Sequence, residues 1–317
     1  MPKERGLMIR IYLTKNGVTN TIDEPKDNCW INMVHPTEDE LKKIIDLYNI
    51  EEDDMKAALD EEESSRMVVE DNYTMVLVDI PTIEERNGKN RFVTIPLGIF
   101  VTKKAFITVC LERTDVLDIK ETKKKTFDTK LRTRLLLKVL LNNAKLYNKN
   151  LKTIYKQTEE IEKRLQVSTE NAALIDMMEL SKSLLYFSTS LKPIGPIVEK
   201  MFKSKDINKY EEDEDLLEDV ENEYHQATET ADIYTGLLAN MMDAYASIIA
   251  NNMNVVMKVL AVATIALSVP NIIFGAFGMN IEGMPFSKGA LAFWIIVIVS
   301  IAAAFGFLYY FNHKKLF

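Results

Sequence analysis

"VLAVATIALSVPNIIFGAFGMNI", residues 259–281, runs without a charged side chain, and "GALAFWIIVIVSIAAAFGFLYYFN", residues 289–312, does the same. At ~1.5 Å per residue each helix spans roughly 35 Å, slightly more than the ~30 Å hydrocarbon core of a bilayer. Core helices of soluble proteins keep a polar edge, and these two runs offer almost none. Both read as transmembrane helices, the first covering about 257–277 and the second 289–312.

The flanking charges orient them. Lys258 precedes the first run and His313, Lys314 and Lys315 follow the second, while the loop at 282–288 sets only Lys288 against Glu282. By the positive-inside rule both termini are cytoplasmic. The start, "MPKERGLMIRIYL", is charged and lacks the apolar core and cleavage site of a signal peptide, so the large first part is expected to stay on the cytoplasmic side of the cell membrane.

The 317 residues carry 39 Lys and Arg against 47 Asp and Glu, a net charge of -8. That balance argues against nucleic-acid binding and suits a protein that handles cations. Enzyme motifs are missing: His35, His225 and His313 are scattered, and no P-loop, HExxH or paired-cysteine pattern occurs. Cys29 and Cys110 read as small buried thiols in a reducing compartment.

In residues 1–127, "LMIRIYL" (7–13), "CWINMV" (29–34), "YTMVLVDIP" (73–81) and "FVTIPLGIFVTKKAFITVCLE" (92–112) are rich in β-branched and aromatic residues, the last turning at "TKKA". A helix opens at Pro36–Thr37, with Thr37 and Glu40 spaced as a capping box. A sheet flanked by helices, an α/β/α sandwich, is expected. Residues 128–210 turn to helical periodicity alone, with a break at Pro193, Gly195 and Pro196. From Glu211 the chain contains no proline before Pro270, so one stalk helix is expected to run from the acidic "YEEDEDLLEDVENE" (210–223) into the first span, ending the segment 211–281. The basic run "KETKKKTFDTKLRTR" (120–134) reads as solvated surface.

One face of the first span departs from its apolar surroundings. Positions 254, 257, 261, 264, 268, 271, 275 and 278, alternating three and four apart, read Asn, Met, Ala, Thr, Ser, Asn, Gly and Gly. Such a stripe has two readings: the wall of a water-filled path, or a seam at which membrane helices approach closely. Two helices cannot enclose a path, so the first also demands a ring of identical subunits.

"FGMN" (277–280), Pro270, "NVVMKVLAVATIALSVP" before it, "MP" (284–285) and the basic C-terminus (313–317) together resemble the CorA family of magnesium transporters. "WINMVHPTEDEL" (30–41) and "GIFVTKKAFITV" (98–109) resemble that family's N-terminal domain. The resemblance implies a funnel-shaped homopentamer in the inner or plasma membrane, conducting hydrated Mg²⁺ through a pore lined by the first span. Gly278, Met279 and Asn280 become the selectivity motif, with Asn280 at the outer mouth; Asn254 becomes a second polar ring, and Met257 and Leu260 a hydrophobic constriction. Thr264, Ser268, Asn271 and Gly275 complete the lining.

The resemblance further implies regulation by cytosolic Mg²⁺ held between subunits, with Asp219 resembling the stalk carboxylate and Glu84 or Glu85 its partner on the neighbour. Around the Met-Pro pair the family often carries two acids; here Glu282 is present, but Phe286 and Ser287 stand in the second place. Relatives that carry Co²⁺, Ni²⁺ or Zn²⁺ share the architecture, and a non-transporting membrane-anchored sensor is the remaining alternative. The Gly-Met-Asn triplet favours magnesium.

Overall fold

The computed structural model describes residues 8–86, 88–118, 127–167, 171–203, 211–279 and 290–313. They divide into two units, Met1–Asn240 and Met241–Phe317.

The first unit begins with two strands, β1 (Met8–Lys15) and β2 (Val18–Ile22), joined by Asn16 and Gly17 at φ 52° and 77°. Positive φ at both positions gives the primed turn whose twist matches a two-residue hairpin. β3 (Cys29–Val34) precedes α1 (Glu38–Tyr48), whose capping box is complete: the Glu40 amide donates to Thr37 Oγ1 at 3.3 Å, and the Thr37 amide donates to Glu40 Oε2 at 2.9 Å. α2 (Glu52–Ala57) and β4 (Arg66–Val69) follow, then the long hairpin of β5 (Tyr73–Arg86) and β6 (Lys89–Thr102), and β7 (Ala105–Cys110) after the tight turn at 103–104.

These strands form one mixed sheet in the order β2-β1-β3-β7-β6-β5-β4, parallel between β3 and β7 and antiparallel elsewhere. Met33, Met75, Leu77, Phe100 and Ile107 share a core cluster with Leu41 and Ile44 of α1 and Met55 and Ala58 around α2. Approach is so close there that a side chain on Gly98 would collide with Ala58.

The helices that follow are α3 (Arg132–Val167), α4 (Asn171–Leu191), α5 (Ile194–Lys203) and α6 (Glu211–Phe277). The expected break falls at 192–193, between α4 and α5. α3 and α4 pack on β5 and β6, completing the sandwich. Trp30, Phe106, Tyr12 and Phe127 form an aromatic group, with the Trp30 indole donating to Thr108 Oγ1 at 3.0 Å. Both cysteines are free and buried, as expected of core thiols, and burial pushes the Cys110 thiol up to about 12.

α6 is 67 residues long, the single stalk helix foreseen from the proline-free run, or roughly 100 Å at ~1.5 Å per residue. In the first unit it buries Leu217, Val220, Tyr224, Ala227, Ala231 and Leu238, again at three- and four-residue spacing. The second unit holds the end of α6 and α7 (Ala290–His313), and both helices are long and apolar enough to cross a membrane.

Candidate functional site

In the second unit, exposure sorts the faces of the first span. Among its described residues only Val262 and Ala266 on α6 and Ser300 on α7 are buried, at 8%, 5% and 0% exposure. Their burial, on one face of each helix of the unit, marks the seam between α6 and α7. At ~100° per residue, Val262 and Ala266 each lie about 160° round the helix from Thr264. The polar stripe therefore faces away from the seam between the chain's own two spans. Met257 and Leu260 are 56% and 58% exposed, and Asn254, Thr264, Asn271 and Gly275 are exposed as well.

The stripe's polar groups differ in what they still require. Thr264 Oγ1 donates to the Leu260 carbonyl and Ser268 Oγ to the Thr264 carbonyl, both at 2.8 Å, so each hydroxyl has spent its hydrogen on its own helix. Asn254 and Asn271 make no side-chain hydrogen bond among the described residues. A carboxamide has two donors and an acceptor, and hydrocarbon satisfies none of them. A Cβ at Gly275 would meet nothing within 4 Å among the described residues, so none of them requires a glycine there.

Pro270 sits inside the helix without ending it, removing the hydrogen bond that the Ala266 carbonyl would accept. The helix stops at Phe277. The Gly278 amide still donates four residues back, to Phe274 O at 2.8 Å, whereas the Met279 amide turns to Ala276 O, three back, at 3.4 Å. This tightening ends the helix, and a Cβ at Gly278 would come within 3.2 Å of the Phe274 oxygen. Asn280 and Glu282 lie outside the described residues, as does the loop they open.

The three regulatory candidates are all exposed: Asp219 on α6, and Glu84 and Glu85 towards the end of β5. Arg91 stands opposite Glu84 in the strand register but pairs with Glu179 of α4 at 2.7 Å, leaving Glu84 without an ion pair among the described residues. Among the described residues of one chain, no group of three or more His, Cys, Asp or Glu gathers as a metal site.

Sequence reasoning missed the contacts that lock α6 to the body. Asn143 Nδ2 on α3 donates both to the Asp79 carbonyl and to Tyr224 Oη, each at 2.9 Å, and Tyr147 Oη donates to the same carbonyl at 3.1 Å. Asn148 Nδ2 reaches Glu223 Oε2 at 2.9 Å, and Ser188 Oγ donates to Asp232 Oδ1 at 2.8 Å. Burial raises the Asp79 carboxyl above its usual range, with a Ser190 hydrogen bond opposing. The sequence signal was a set of asparagines on α3, of which Asn143, Asn148 and Asn150 are buried.

A family model described as CorA-like Mg²⁺ transporter protein matches residues 25–315. The chain is 25% identical over 290 residues to the cobalt/magnesium transport protein CorA of Methanocaldococcus jannaschii, covering 90% of each. It is 22% identical over 165 residues to the cobalt/magnesium transport protein CorA of Thermotoga maritima, covering 52% of this chain and 47% of that one. Among solved structures, the complete CorA magnesium transporter from Methanocaldococcus jannaschii superposes with a TM-score of 0.80 at 21% identity, over 97% of this chain and 98% of that one. The full-length CmaX protein gives 0.71 at 16% identity, over 99% of both.

Proposed function

We propose that this chain, which belongs to the family of CorA-like Mg²⁺ transporter proteins, passes hydrated Mg²⁺ through a pore on the axis of a homopentamer in the cell membrane, with both termini cytoplasmic. Members of the family are transporters rather than enzymes. The observation that carries the reading is the orientation of the stripe from Asn254 to Gly278. It faces away from the buried Val262–Ala266 seam and keeps two unsatisfied carboxamides exposed along a helix suited to a bilayer.

Chemistry supports the ion. Mg²⁺ holds its waters tightly in an octahedral shell, so a selective site recognises the hydrated ion through oxygens that accept hydrogen bonds from those waters. A ring of Asn280 carboxamides supplies such oxygens without charge, and Asn254 and Asn271 repeat the chemistry along the path. A ring of carboxylates would hold the ion too firmly for conduction. Met257 and Leu260 form the constriction that closes by expelling water. On the cytoplasmic side, Asp219 of one subunit and Glu84 or Glu85 of the next share Mg²⁺ when it is abundant; without it the carboxylates repel and the subunits separate.

Co²⁺ belongs on the same path as a competing ion, since the relative aligned over 90% of both chains is a cobalt/magnesium transport protein. Uptake into proteoliposomes loaded with a magnesium-sensitive dye tests the proposal. Flux in the wild type and its loss in Asn280→Ala is the expected pair of results. Equal flux in both moves selectivity off Asn280, and no flux in either, with intact oligomers, indicates a non-transporting sensor.

A further inference from the structure

The start of α3 borders a cavity of about 250 Å³ that takes no part in the ion path. Lys103 reaches it from the β6–β7 turn, Lys130 from just before α3, and Arg132 and Arg134 from the first turn of that helix. Lys103 and Lys130 are exposed, and neither has an ion pair among the described residues. The positive end of a 36-residue helix adds to this charge. Facing the cations are Glu70 and Asp71 from the β4–β5 turn and Asp213 from the start of α6.

Asp213 is the unusual member. It is 1% exposed, its Oδ1 accepts from Arg134 Nε at 2.7 Å, and its Oδ2 is buried with no hydrogen-bond partner among the described residues. A bare buried carboxylate oxygen is costly and calls for a donor or a cation. A metal ion alone does not suit the site, because the three carboxylates that line it do not gather into a metal-holding group among the described residues. An anion alone would leave Oδ2 beside a like charge.

One ligand class meets both demands. Mg²⁺ is commonly held by one or two carboxylates together with phosphate oxygens while keeping several waters. We propose that this cavity binds an oligophosphate as its magnesium complex, with Asp213 Oδ2 on the metal side and Lys103, Lys130 and the α3 N-terminus on the phosphate side. The assignment stands apart from the pore reading and survives its failure.

Equilibrium dialysis of the full-length chain in detergent, using labelled pyrophosphate with Mg²⁺ or with a chelator, tests it. The expected result is retention at least about tenfold stronger with Mg²⁺, and a loss of about tenfold in the Lys103→Gln, Lys130→Gln double variant, as charge-assisted contacts warrant. Asp213→Asn is expected to abolish the magnesium dependence while leaving weak metal-free retention. If that variant does not fold, the lysine pair, both surface residues, decides. Competition by ATP identifies nucleoside triphosphates as a source of the ligand, whereas pyrophosphate binding without such competition confines it to free oligophosphate; both uphold the proposal. Absent retention, retention indifferent to Mg²⁺ in the wild type, or retention unchanged in the lysine variant overturns it.

Discussion

Replacing Leu260 by serine tests the closure step of the proposed pore. Leu260 is 58% exposed in the single chain, so contact with its counterparts leaves somewhat over half of a leucine's burial energy to be gained, about 1–2 kcal/mol per chain. Around five chains that amounts to about 5–10 kcal/mol favouring the closed, dry state, an upper bound because each side chain meets only its neighbours. Serine removes nearly all of it and wets the constriction. Even a fifth of the lower figure changes the open-to-closed ratio by about fivefold. The assay is dye-detected Mg²⁺ flux into proteoliposomes as Mg²⁺ on the stalk side is raised. Wild-type flux is expected to fall steeply, Leu260→Ser to keep flowing where the wild type has shut, and Leu260→Met, which conserves volume, to follow the wild type. Identical suppression of the serine variant and the wild type refutes the constriction.

Three further outcomes follow from the same geometry. In an otherwise cysteine-free background that retains function, Thr264→Cys is expected to react with a small charged thiol reagent at least about tenfold faster than Val262→Cys, since only the former lies on the exposed stripe; equal rates would place both positions in one environment. Asp219→Asn and Glu84→Gln are each expected to raise the Mg²⁺ concentration needed for closure, and the double variant to add little to either, because neighbours sharing one ion are not additive; fully additive shifts would separate the two residues. Asp79 gives a pH test. Its folded pKa lies above the ordinary 3.8, so stability falls as pH rises from 3.8 through the folded value and stays lower beyond it. Asp79→Asn is accordingly expected to melt above the wild type at neutral pH, by an amount that shrinks below pH 3.8 in thermal melts of the full chain; a wild type that melts higher at neutral pH would contradict the burial argument.

How much of this the sequence disclosed depended on whether a signal was local. The charge-free runs, the capping box at Thr37 and Glu40, and the proline-free stalk are properties of neighbouring residues, and each appears in the structure. Asn16-Gly17 was equally local and was passed over, although it is a strong short-range hairpin signal, and β2 was lost with it. The strand expected over 73–81 continues as β5 to Arg86, although proline cannot donate to a ladder. β4 covers only Thr74–Leu77, so beyond Leu77 that side of β5 is a free edge, where proline is tolerated. Pro96 survives in β6 for the same reason, lying one residue past the reach of β7.

The site divides along a similar line. Periodicity alone placed Asn254, Thr264, Ser268 and Asn271 on one face, but it could not tell a path from a seam. The burial of Val262 and Ala266, which depends on a second helix, bears on that distinction by putting the chain's own seam on the opposite face. The partners of Asn143 and Asn148 on α6 were illegible because Tyr224 and Glu223 lie more than 70 residues further along the chain.

Along the proposed path, the two hydroxyls that donate back to their own helix carry a consequence for the sign of the charge admitted. With its one hydrogen turned inward, each oxygen presents only lone pairs to whatever lies outside. Water beside Thr264 and Ser268 must therefore approach hydrogen-first. Shells in which water points its hydrogens outward are those around cations, while an anion's waters point theirs inward. A wall of such oxygens distinguishes the two kinds of ion by the orientation of their solvent, with no formal charge on the wall itself.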